Sequence, residues 1–90
     1  MKALISPNEI FNHNWISDWY KDDQNKWKPI YSNIQNLQRV AQVEPDNKTF
    51  PVAEPLFWID CPDDCKADQW YYKDSQIQIK PQDVIKPEGE

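Results

Sequence analysis

The chain has 90 residues, 39% of them apolar, and a formal charge of −5. That length allows one domain at most, and a chain so short buries only about 60% of the surface its unfolded form exposes, so its core needs help from the twelve aromatics, from a partner or homo-oligomer, or from a disulfide or metal. Residues 60–90 carry −4 of the charge, and no cluster of Lys and Arg forms a basic stripe, which argues against nucleic acid and anionic membranes as partners.

Lys2–Ile5 reads as a short edge strand. Ser6-Pro7-Asn8-Glu9 has the makings of a capping box, with Ser as N-cap and Glu three residues on. Phe11, Trp15 and Trp19 follow at helical spacing, yet Asn12, His13 and Asn14 are weak helix formers, so 8–16 stays open between helix and strand. Strands are expected over 16–21 and 26–31. Ile30, Ile34 and Leu37 recur at i, i+4 and i+7, which allows one short helix at about 31–37. Arg39–Glu44 is a strand, Pro45-Asp46-Asn47-Lys48 a turn, and Leu56–Cys61 an apolar strand ending at Pro62-Asp63-Asp64. Asp68–Lys73 and Ile77–Ile79 form the last hairpin, closed by Pro81.

The expected fold is therefore mainly β, a small antiparallel meander of hairpins over residues 1–81, followed by an acidic tail, 82–90. The N-terminal third is expected to cover the sheet's apolar face. One pattern occurs twice: Trp19-Tyr20-Lys21-Asp22-Asp23-Gln24-Asn25-Lys26-Trp27-Lys28-Pro29 and Tyr71-Tyr72-Lys73-Asp74-Ser75-Gln76-Ile77-Gln78-Ile79-Lys80-Pro81. Each copy reads as aromatic strand, polar turn, return strand and proline stop.

The single glycine, Gly89, lies at the tail, so no glycine loop can cradle a phosphate, and turns at positive φ fall to Asn and Asp. No run of about twenty apolar residues spans a membrane, and the N-terminus has no signal-peptide core, so the chain reads as an unprocessed cytosolic product. His13 stands alone without a nucleophile nearby in sequence, and no cofactor is implied. An enzyme is not expected.

Cys61 and Cys65 flank a turn and admit three readings: packed thiols, a disulfide across the turn, or part of a metal site. Asp60, Asp63, Asp64 and Asp68 form either a solvated acidic turn or a weak cation site, although the spacing is not that of an EF-hand loop. Trp19, Tyr20, Trp27, Trp58, Trp70, Tyr71 and Tyr72 are the interface candidates, because aromatics anchor protein interfaces and stack on sugars. One face of the strand at 68–73 should point outward, exposing either Tyr71 or the pair Trp70 and Tyr72.

Arg39-Val40-Ala41-Gln42-Val43, Phe50-Pro51-Val52-Ala53-Glu54-Pro55-Leu56-Phe57-Trp58-Ile59-Asp60-Cys61 and Ala67-Asp68-Gln69-Trp70-Tyr71-Tyr72, with the opening Met1–Glu9, resemble a group of small proteins of tailed bacteriophages, especially those of marine bacteria and cyanobacteria. Some of these lie among virion structural genes. The resemblance covers about 1–9 and 39–80, and 10–38 looks like an inserted or duplicated segment. It implies a virion structural role, assembled in the host cytoplasm, in which the chain docks on other virion proteins as a capsid decoration or a small tail- or fibre-associated subunit. It transfers no functional residue. Two other roles remain open: a module that binds host-surface glycan, and a small acidic protein that binds a host protein.

Overall fold

A computed structural model describes residues 1–87. Five antiparallel strands form one open sheet: β1 (Lys2–Lys21), β2 (Trp27–Glu44), β3 (Phe57–Asp60), β4 (Trp70–Lys73) and β5 (Gln76–Ile79), in the spatial order β3-β1-β2-β4-β5. The fold is mainly β and antiparallel, as the alternating apolar pattern and frequent turn residues lead one to expect.

β1 and β2 are far longer than the usual five or six residues, at 20 and 18. They stay paired from Lys2↔Glu44 to Lys21↔Trp27, interrupted by bulges. Only their proximal ends belong to a wider sheet. β3 pairs with β1 at residues 2–5, and β4 pairs with β2 at Gln38 and Arg39. Beyond that junction the hairpin continues as a two-stranded arm. The radius of gyration is 17.2 Å and the extents are 57 × 23 × 15 Å. A compact domain of this length has a radius of gyration near 12 Å.

Several expectations give way here. Residues 31–37 are strand, not helix, because Ile34 faces His13 and Leu37 faces Phe11 across the ladder. The i, i+4, i+7 spacing arises because Asn36, at φ 63°, and nearby register shifts break the period of two. The only helical turn among the described residues is the 3-10 segment Asp46–Lys48. Lys2–Ile5 is central, not an edge: Ala3 and Ile5 are fully buried between β3 and β2. Ser6 and Glu9 do meet, with Ser6 Oγ donating to Glu9 Oε1 at 3.1 Å, but inside a strand bulge. There Ser6↔Arg39 is followed by Ile10↔Gln38, so β1 takes four steps while β2 takes one.

The N-terminal third is part of the sheet and does not cover it. The cover comes from the segment between β3 and β4. This segment must pass β1 and β2 to reach the far side, and it seats Cys65 against Ala3, Ile5, Val40 and Trp70. Val43, Phe57, Ile59, Cys61, Tyr72 and Ile77 pack around that cluster. The segment is tied down by Asp68 N–H, which donates to the Val40 carbonyl at 3.0 Å.

Both copies of the repeated pattern fold as hairpins, with different registers. The second closes on a two-residue turn, with Asp74 and Ser75 at φ 52° and 64°, the left-handed pair that matches the twist of a tight hairpin. In the first, one carboxylate oxygen of Asp22 accepts from the N–H groups of Gln24 and Lys26, both at 2.9 Å, and Asn25 takes φ 62°. That wider turn forms the arm's tip. Four of the five non-glycine residues at positive φ are Asn or Asp, as a nearly glycine-free chain requires.

Candidate docking arm and junction cavity

Two features stand out: the arm, and the junction where it leaves the body. The arm, about a dozen residue pairs, extends roughly 35 Å at ~3.3 Å per residue. An isolated two-stranded hairpin is barely stable in water. Here the C-terminal segment supports it. Val84 N–H donates to the Ile16 carbonyl at 2.8 Å, and Ile16 N–H donates to Asp83 Oδ1 at 2.7 Å. Trp19 Nε1 donates to the Val84 carbonyl at 2.7 Å, and His13 Nε2 donates to the Pro81 carbonyl at 2.8 Å. Residues 81–84 thus act as a partial third strand along β1. Glu88, Gly89 and Glu90, the end of the expected acidic tail, lie outside the described residues.

Even with that support the arm leaves Tyr20, Ile30 and Tyr31 exposed, Tyr31 at 67%, and Ile10 is half-exposed at the junction. Trp15 stacks on His13 with ring centroids 5.7 Å apart, and the Lys21 ammonium lies 5.0 Å from the Trp27 ring. Trp27 Nε1 is buried with no hydrogen-bond partner among the described residues. An orphaned donor of this kind costs about 1–3 kcal/mol.

The sequence-based interface candidates divide between arm and body. Tyr20 is exposed at the tip, while Trp19 and Trp27 are half-buried there. Trp58 is half-buried under Phe50, whose ring meets it edge-on at 5.3 Å and whose carbonyl accepts from Trp58 Nε1. The open face expected on the strand at 68–73 is not present. Trp70 and Tyr71 are both buried, on opposite faces, and Tyr72 packs edge-on against Phe57. Trp70 lies in the covered cluster, and the Tyr71 hydroxyl donates to Gln78 Oε1 at 2.8 Å. Tyr31 and Ile30, at the end of the strand expected over 26–31, were not among the interface candidates.

The junction gathers charge. Arg39 Nε and Nη2 donate to the two carboxylate oxygens of Asp68, at 2.8 and 3.2 Å, while Nη1 donates to Glu9 Oε2 at 2.7 Å. The guanidinium beside them holds the carboxyls of Asp68 and Glu9 below the usual carboxylate range, and they in turn raise the pKa of Arg39. Lys80 Nζ donates to the Asp68 carbonyl at 2.7 Å and lies 4.5 Å from the Phe11 ring. These side chains line an open cavity of about 300 Å³ with Ile10.

The four clustered aspartates are dispersed in space. Asp60 pairs with Lys2, Asp68 with Arg39, and Asp63 and Asp64 lie exposed on the turn. Among the described residues no three His, Cys, Asp or Glu side chains converge as a metal site. Cys61 and Cys65 are adjacent free thiols. Burial raises both, pushing Cys65 up to about 12.

No protein-family model, curated protein or solved structure matches this chain.

Proposed function

We propose that this chain is a non-enzymatic structural component of a tailed-phage virion, a capsid decoration or a small tail- or fibre-associated subunit, that docks on neighbouring subunits through its projecting hairpin. The observation that carries the reading is the arm itself. Residues 11–36 extend beyond the body and expose Tyr20, Ile30 and Tyr31 along a layer only two or three strands wide. A hairpin of this kind gains stability when a second surface covers it. The resemblance of 1–9 and 39–80 to small phage proteins supports the virion setting. It also makes the arm, which lies within 10–38, the part peculiar to this chain.

The test is location. Mass spectrometry of purified, intact particles should find the protein in fixed stoichiometry with a major structural subunit. Its absence from particles, together with a sharply unfolding monomer in solution, overturns the proposal.

A further inference from the structure

Beyond docking, we propose that the junction cavity is a binding site for a neutral sugar ring, such as a hexopyranose unit of a glycan. The argument rests on what the lining can still bond. Glu9 and Asp68 balance Arg39 and Lys80, so the cavity has no net charge. The charges are already committed to each other through a two-point Arg39–Asp68 pair and a third bond to Glu9. A phosphate or other anion would meet two carboxylates, and a cation would meet Arg39 and Lys80. An amino-acid zwitterion would have to pull Arg39 away from Asp68. A purely apolar ligand would strip water from four charges without replacing its hydrogen bonds.

A ring bearing hydroxyls does none of this. Among the described residues three of the five guanidinium N–H groups are engaged, which leaves two without a partner there. The ammonium of Lys80 uses one donor on the Asp68 carbonyl, and the carboxylates keep spare lone pairs. The lining therefore offers both spare donors and spare acceptors, which the hydroxyls of a sugar ring can use together. Half-exposed Ile10 and the side chain of Phe11 supply an apolar wall for the C–H face. The volume of about 300 Å³ sits at the lower end of the range of ligand cavities. The geometry also explains why the bulge at 6–10 is placed here. Three extra residues in β1 bring Glu9 back to Arg39 while turning Ile10 and Phe11 into the cavity's wall.

The test is amide chemical-shift perturbation of the full chain with the methyl α-glycosides of glucose, mannose and galactose, and with sodium phosphate and glycine as competing chemistries. At least one glycoside should give saturable shifts at Ile10, Phe11, Arg39, Asp68 and Lys80, with a Kd on the order of 1 mM, as suits an open site. Ile10→Lys changes a half-exposed side chain, so the fold should survive. It should weaken that binding by about tenfold or more, with the rest of the spectrum unchanged. Tyr31→Ser, out on the arm, should leave it unaffected, which separates this site from the docking surface. No saturable shift with any glycoside up to about 100 mM overturns the proposal. So does a stronger response to phosphate or glycine, or a set of shifts centred on the arm aromatics.

Discussion

Arg39 is the only arginine among ten basic residues, and its position shows why a lysine would not serve. A planar guanidinium can hold one carboxylate at two points and reach a second; an ammonium cannot. Arg39 ties the turn that covers the core, through Asp68, to the bulged strand, through Glu9. Because both carboxyl pKa values are depressed in the fold, their contribution is complete above the unfolded values of about 3.9–4.3 and is lost as pH falls through the folded ones. Arg39→Met should therefore lower the melting temperature at pH 7 and flatten its decline below about pH 4, read by thermal circular dichroism across pH. All three groups are substantially solvated, so the effect is modest.

The buried thiol behaves differently. With Cys65 pushed up to about 12, almost none is thiolate near neutrality, and its burial bars reagents. In the native protein, iodoacetamide should label half-buried Cys61 first and Cys65 only on unfolding, a sequence that peptide mapping reads directly.

At the scale of elements, the repeat was legible and its register was not. The order of aromatics and polar residues foretold two hairpins, but the proline stop expected in each holds only for Pro81: Pro29 lies inside β2, opposite Trp19. The turn lengths depend on which side chain captures the backbone. Asp22 accepts from two amides and widens the first turn, whereas Asp74 and Ser75 twist into the tight form. The second turn is therefore improvable. Serine at φ 64° is strained where glycine is not, and Ser75→Gly should raise stability by about 0.5–1 kcal/mol in urea unfolding. In contrast, Val40→Ala removes a fully buried side chain from the small cluster and should cost about 2–4 kcal/mol, enough to unfold a chain with so thin a core.

The misread helix at 31–37 has a similar origin. A bulged strand breaks the period of two, and Ile30, Ile34 and Leu37 then mimic a helical face. The junction cavity left no local trace at all. Its walls come from β1, β2, the 61–69 turn and the end of β5.

For the whole molecule, shape carries the functional argument. The accessible surface is 6279 Å², against about 5,500 Å² for a compact monomer of this mass. The excess lies in a chain drawn out to 57 Å around a core of a few side chains. Such a molecule should be only weakly stable alone, or should self-associate through the arm, with a melting temperature that rises with protein concentration.

The arm's role is tested most directly by a photo-crosslinking residue placed at Tyr31 in particles assembled with the substituted protein, with exposed Lys66 on the body as the comparison site. If the arm docks, irradiation joins Tyr31's position to one defined structural subunit in high yield and leaves Lys66's position largely unlinked. Crosslinks from Lys66 alone, or none from Tyr31 in particles that contain the protein, would contradict it.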